Sequence, residues 1–198
     1  MNRIIAAAWG SLLSISLGAC ASSGADQGWK SLLSTEGGFE NFTLLGADSW
    51  VVKDGGVEVQ GRNQQYAFLV SREVYGDFAL HVEFWVSEDA NSGIYLRCQD
   101  PENLTDTSCY EANIFDQRPD PTYATGAIVH VAPAPTPVPR SGGRWNTYDI
   151  RLQGPRLMVK LNGETTVDVE DSRFQQGHLG LQWGQGTIRF REVRIRKL

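Results

Sequence analysis

Residues 77–87, DFALHVEFWVS, alternate without a break. Phe78, Leu80, Val82, Phe84 and Val86 point one way; Ala79, His81, Glu83 and Trp85 point the other. A period of two is the mark of an extended strand with one face toward a core. Similar short runs fill the chain from Trp29 onward: SGIYLRC, CYEANIFD, TGAIVHVA, GHLGLQWG and TIRFREVRIRKL. SWVVKDGGVEVQG places Asp54-Gly55-Gly56 between two apolar runs, a hairpin signal. WNTYDIRLQGPRLMVKLNGETTVDVE reads as two long strands and the start of a third, turned at Gly154-Pro155 and Asn162-Gly163. APAPTPVPRSGG is too rich in proline to join a central strand and is expected as a surface loop. No helical stripe and no tandem repeat interrupts this pattern. About eleven or twelve short strands separated by turn signals predict an all-β jelly-roll sandwich of two antiparallel sheets.

Composition narrows the class of partner. The formal charge is -5 and hydrophobic residues make up 41% of the chain, which is ordinary for a folded domain. An acidic chain lacks the clustered Lys and Arg that phosphate binding needs, so nucleic acid is excluded. The one basic run, RFREVRIRK, alternates Arg with apolar residues and reads as a solvated strand face.

The N-terminus is different in kind. MNRIIAAAWGSLLSISLGAC has one positive charge, Arg3, and an apolar stretch too short to span a bilayer, which fits an export signal. Leu17-Gly18-Ala19-Cys20 resembles a bacterial lipobox, in which the Cys20 thiol is lipidated and becomes the mature N-terminus. Residues 1–19 are then signal peptide, 20–28 a lipidated, flexible tether, and 29–198 a single domain. Ala21 in place of Asp resembles an outer-membrane sorting signal, so a lipid-anchored cell-envelope location is expected. The membrane contact would be through the lipid alone. Lipidation also accounts for one of the 3 cysteines. Cys98 and Cys109 remain, bracketing a polar loop, and in an oxidising compartment they are expected to pair. Such a bridge contributes about 3 kcal/mol in the chain-entropy view.

The candidate chemistry lies on the strand faces opposite the apolar ones. By parity His81, Glu83 and Trp85 share a face, as do Tyr95 and Arg97 on the next strand and Glu111 and Asn113 on the third. Sheets with one wet face show this routinely, but Trp, Tyr, Arg, Glu and Asn together also suit a sugar-binding surface.

In order, NSGIYLR, YEANIFD, TGAI, RWNTYDI, LNG and GHLGLQ…FREVRIRKL resemble the 3-keto-disaccharide hydrolase domain family over the whole of Trp29 to Leu198. The resemblance implies a concanavalin A-like lectin and glucanase jelly roll acting on glycosides oxidised at C3. It maps the family's acid before NSG to Glu83 and its Arg to Arg97. Its Tyr-Glu-x-Gln-x-x-Asp pattern falls on Tyr110, Glu111 and Asp116, with Asn113 where Gln is usual. The Gln of GLQ is Gln182. Many relatives continue from that Gln with an acid and a His; here Trp183, Gly184 and Gln185 follow, so such a role is either unfilled or moved to His81 or His130.

The reading that follows is a carbohydrate-active hydrolase or lyase cleaving 3-keto-glycosides, with Glu111 and Glu83 as paired catalytic carboxylates on one concave face. Arg97, Asn113, Asp116, Tyr95, His81, Trp85, Gln182 and Trp183 are expected to bind substrate. Arg97 would hold a carboxylate ionised or polarise the keto oxygen, or else form a structural ion pair with Glu111. A 3-keto group acidifies the C2 proton, so a base can start cleavage by elimination. Direct hydrolysis would need both carboxylates at a set separation. The alternative is a non-catalytic, lectin-like surface lipoprotein using the same face. The sequence requires no cofactor and leaves room for a divalent metal; the partner is a small saccharide.

Overall fold

The computed structural model describes residues 28–62 and 65–198. The expected signal segment, the lipidation site Cys20 and the tether up to residue 27 lie outside the described residues. No helix among the described residues is long and apolar enough to cross a membrane.

Among the described residues thirteen strands follow one another: β1 (Lys30–Ser34), β2 (Phe42–Leu45), β3 (Ala47–Lys53), β4 (Gly56–Arg62), β5 (Ala67–Ser71), β6 (Phe78–Val86), β7 (Ser92–Cys98), β8 (Tyr110–Ile114), β9 (Arg144–Gln153), β10 (Arg156–Leu161), β11 (Glu164–Glu170), β12 (His178–Trp183) and β13 (Ile188–Lys197). Eight form one sheet, in the order β11-β10-β9-β6-β13-β4-β3 with β1 also paired to β13. The other five form a second sheet, β2-β5-β12-β7-β8. The named strand pairs are antiparallel throughout.

The turn chemistry read from the sequence closes the hairpins. Asp54 (φ 50°) and Gly55 (φ 76°) join β3 to β4, and Asn162 (φ 52°) and Gly163 (φ 86°) join β10 to β11. These are the left-handed conformations that two-residue hairpin loops require. The β6 alternation is also as read: Phe78, Leu80, Val82, Phe84 and Val86 are all buried and face Ile94 and Leu96 of β7 and Leu179 and Leu181 of β12 across the core. The segment TGAIVHVA is not a strand. Positive φ at Gly126 (92°) and His130 (60°) turns it into a tight loop, closed between Ile128 and Ala132 by hydrogen bonds of 2.9 and 3.0 Å.

A sandwich has two outer faces, and this decides where the site lies. The outer face of the eight-stranded sheet carries His81, Glu83 and Trp85, with Asp149 and Trp145 directly across on β9. The outer face of the five-stranded sheet carries a second, smaller apolar cluster: Phe68, Val70, Tyr95, Cys98, Leu104 and Cys109. The 99–109 loop folds back over that face.

Candidate active-site cleft

Glu111 leaves β8 on the outer face of the five-stranded sheet, directly across from Tyr95 on β7. Its neighbour on that face is Gly93, and an added Cβ there would lie 2.6 Å from Glu111 Oε1. Only the missing side chain lets the carboxyl lie down on the sheet. Gly180 of β12 does the same for the loop, since a Cβ there would meet Leu104 Cδ2 at 2.3 Å.

Between loop and sheet lies a cleft of about 490 Å³, within the range of small-molecule sites. Tyr66, Phe68 and Tyr95 give it aromatic walls, and Asn91, Gln182 and Glu111 give it polar ones. Asn103, Thr105 and Asp106 of the loop and Arg118 beyond β8 complete the rim.

Glu111 is only 6% exposed. Burial pushes its carboxyl up from 4.5 to about 7, and the nearby Asp106 carboxylate pushes the same way. A hydrogen bond from Tyr95 and the charge of Arg118 oppose this and are outweighed. The Tyr95 phenol is held protonated by its own burial first and by the Glu111 charge second. Gln182 donates through Nε2 to the Tyr95 hydroxyl at 3.0 Å, and its buried Oε1 has no hydrogen-bond partner among the described residues. Glu111, Tyr95 and Gln182 are thus one connected set, and an acceptor is left for a ligand hydroxyl.

The other expected site residues go elsewhere. Glu83 does not converge on Glu111; it sits on the far sheet, in an ion pair with Arg191 at 2.5 Å. His81 is on that same outer face, its Nδ1 2.6 Å from Asp149 Oδ1, which raises its affinity for a proton. Trp85 lies there too, under the Arg189 guanidinium at 5.0 Å from the ring centre.

Arg97 is 1% exposed and touches neither Glu111 nor the cleft. Its own φ of 50° breaks the parity that would have set it beside Tyr95. The guanidinium turns to the end of the sandwich, donating to the carbonyls of Gly76 (3.0 Å), Gly154 (2.9 Å) and Phe174 (2.9 Å) and to Asp77 Oδ1 (3.0 Å). Asp116 is a loop clamp. Its carboxylate accepts from Thr125 Oγ1, Ser141 N and Oγ, and Gly142 N, all at 2.6–2.9 Å. Asn113 is fully buried beneath the following turn and gives its amide to the Tyr123 carbonyl. Trp183 follows Gln182 and therefore points the other way, packing toward the core with Nε1 on the Gly186 carbonyl at 2.9 Å. Of the ten expected catalytic and substrate-binding residues, only Glu111, Tyr95 and Gln182 line the cleft.

Sequence reading missed the loop residues Asn103, Thr105 and Asp106. One signal was present: Leu104 is the single aliphatic residue in the polar run QDPENLTDTS, and its burial against Gly180 folds the loop onto the sheet.

Cys98 and Cys109 are bridged, with Cα atoms 4.2 Å apart. Because Arg97 is not at the site, the bridge acts through the loop it closes. The Cys98→Ser, Cys109→Ser double variant is expected to lose about 3 kcal/mol of stability. At temperatures where it is still folded, ligand affinity should fall as Asp106 and its neighbours lose their anchor. Unchanged affinity in calorimetric titration would show that the loop holds its place without the bridge.

A divalent metal has one candidate set of donors among the described residues: His81, Glu83 and Glu192, whose ligand atoms lie within 4.8 Å of one another. Each carboxylate already carries an arginine, Arg191 on Glu83 and Arg194 on Glu192 at 2.6 Å, and these cations oppose a further positive ion. The cluster lies on the face opposite the cleft and fits a structural ion network better than a metal.

Two sheets in this order define a lectin-like jelly roll. The chain belongs to the 3-keto-alpha-glucoside-1,2-lyase-like domain family, whose model matches residues 22–196. Its fold is shared with two provisionally assigned glycosyl hydrolases of Parabacteroides distasonis. One is 15% identical with a TM-score of 0.76, over 91% of this chain and 98% of that one. The other is 23% identical with a TM-score of 0.68, over 86% and 99%. The carbohydrate-binding module CBM66 of Bacillus subtilis is 17% identical with a TM-score of 0.59, over 86% and 96%. No curated protein matches the chain.

Proposed function

We propose that this chain is a glycoside-cleaving enzyme acting on 3-keto-glycosides, with Glu111 as the carboxyl that exchanges a proton with the substrate. The observation that carries the reading is Glu111 itself: a buried carboxyl with its pKa moved to about 7, in a cleft with aromatic walls and a free amide oxygen. A group tuned to neutrality both holds and releases a proton at working pH, which is what acid–base catalysis asks of it. The aromatic rings suit the apolar faces of a sugar, and Gln182 Oε1 suits one of its hydroxyls. Family membership supports the 3-keto sugar as substrate class, because the ketone acidifies the neighbouring C2–H and lets cleavage begin by elimination. A lipid on Cys20 would hold the domain at the cell envelope, where such saccharides arrive from outside.

The test is turnover of a panel of 3-keto-glycosides by the wild type and by Glu111→Gln, each with added divalent metal and with chelator. The wild type is expected to release the aglycone, and the variant to be slower by about 10²–10⁴-fold on glycosides with an alkyl leaving group. Binding of the panel without turnover by the wild type would assign the cleft to glycan recognition instead.

A further inference from the structure

Glu111 has no partner at Glu83, yet the cleft holds a second carboxylate. We propose that Asp106, held in place by His130, is the second carboxylate of the site and takes the C2 proton while Glu111 protonates the leaving oxygen. This rests on the glycoside-cleaving reading above.

Four observations place Asp106. It lines the same cleft as Glu111. Its Oδ2 lies 3.1 Å from His130 Nε2, an ion pair when the imidazole is protonated. Its loop is closed by the Cys98–Cys109 bridge and pinned by Leu104. Finally, His130 sits at φ 60°, a left-handed conformation that is uncommon outside glycine and that the surrounding structure must impose. What imposes it is the turn from Ile128 to Ala132, tied to β8 by the Val129 N–H on the Glu111 carbonyl at 3.0 Å. The Tyr123 ring supports the imidazole edge-on at 5.5 Å. The strained residue therefore stands one position from the strand contact that carries Glu111, and its side chain is used on Asp106. His130 is a positioning residue here.

The two carboxyls occupy contrasting environments, the arrangement that separates an acid from a base. Glu111 is buried, and the groups that face it are Tyr95 from β7, Asp106 from the loop and Arg118 beyond β8; the core phenol of Tyr148 on β9 senses its charge from behind the sheet. Asp106 is more than a third exposed and has the His130 imidazole within reach. In the step itself, the Asp106 carboxylate removes the proton from C2 and that C–H pair forms the C1–C2 double bond. The C1–O bond breaks with its electrons going to the glycosidic oxygen, which takes the Glu111 proton. The products are an unsaturated 3-keto sugar and an alcohol. Asp106 is left protonated and Glu111 ionised, and solvent restores both.

Leaving-group dependence separates the two roles. With 3-keto-glycosides bearing methyl and 4-nitrophenyl aglycones, Asp106→Asn should lose about 10²-fold on both, since each needs its C2 proton removed. Glu111→Gln should lose activity on the methyl glycoside and largely keep it on the 4-nitrophenyl one, whose leaving oxygen needs no acid. The reverse pattern, or equal losses throughout, would overturn the assignment. A second readout does not depend on turnover: the ¹³C chemical shift of the Glu111 carboxyl titrated against pH. Asp106→Asn removes a like charge and should lower the midpoint, whereas His130→Gln removes no negative charge and should not lower it. A midpoint unmoved by Asp106→Asn would mean that the carboxyls do not face one another. A wild type inert on both glycosides would refute the glycoside-cleaving reading and this assignment with it, whereas an active wild type with the wrong variant pattern would refute this assignment alone.

Discussion

Glu111→Gln is expected to make the folded protein more stable at pH 8 while it slows turnover of glycosides whose leaving oxygen needs an acid. The sign follows from the carboxyl's position. Folding raises its pKa from 4.5 to about 7, so the protonated form is favoured in the folded chain relative to the unfolded one. The stability linked to that proton is fully present below pH 4.5 and is lost as the pH rises through about 7. Above that pH the folded protein holds a buried anion at a cost of about 3 kcal/mol, on the conversion of 1.36 kcal/mol per pKa unit. Glutamine keeps the shape and never ionises. At pH 8 the variant should therefore melt roughly 6–12 °C higher, and at pH 4 the two proteins should melt close together. Calorimetry at both values checks this. A stability difference that is the same at pH 4 and pH 8 would mean the carboxyl is not buried as an anion and would remove the main support for its catalytic role. The protein keeps a destabilising group at this position, as functional sites commonly do.

The strands were legible in the sequence because alternation is a local property. Phe78 to Val86 alternate because one face of β6 packs on the core, and no distant residue is needed to see that. Assembly of the site was less legible. Parity shows which side of a strand a residue takes, but not which of two outer surfaces that side becomes. Glu83 and Glu111 both face away from the core, yet β6 lies in one sheet and β8 in the other, so two correct parities give opposite sides of the molecule. Parity also fails where the backbone leaves the extended region, as at Arg97 with its φ of 50°. For Gln182 and Trp183 it would have sufficed, since consecutive strand residues cannot share a face, and only Gln182 reaches the cleft. Asp106 was hidden for another reason. It belongs to a loop whose path is set by a covalent bridge and by one leucine meeting a glycine far along the chain.

Arg97 should prove to be a stability residue with no part in binding. Its guanidinium joins the β9–β10 turn at Gly154, the start of β6 at Gly76 and Asp77, and the segment before β12 at Phe174. Three chain segments distant in sequence thus share one buried cation, and Asp77 Oδ1 also accepts from the Gly154 N–H at 2.9 Å. Arg97→Met keeps the aliphatic stem and removes every one of these donors. Three carbonyls lose the guanidinium and Asp77 is left with the Gly154 N–H, and removing one side of a buried charged network costs about 3–5 kcal/mol. Urea unfolding should show that loss as a lower midpoint with an unchanged slope, because the same surface is exposed on unfolding. Ligand affinity, measured where the variant is still fully folded, should match the wild type, since the guanidinium does not reach the cleft. The opposite result, weakened binding with stability intact, would mean that the side chain turns toward Glu111 in solution and that the left-handed backbone at Arg97 is not the stable one. The residue's fixed position beside Cys98 makes the comparison clean: the bridge holds the strand end in both proteins, so any change in affinity comes from the guanidinium alone.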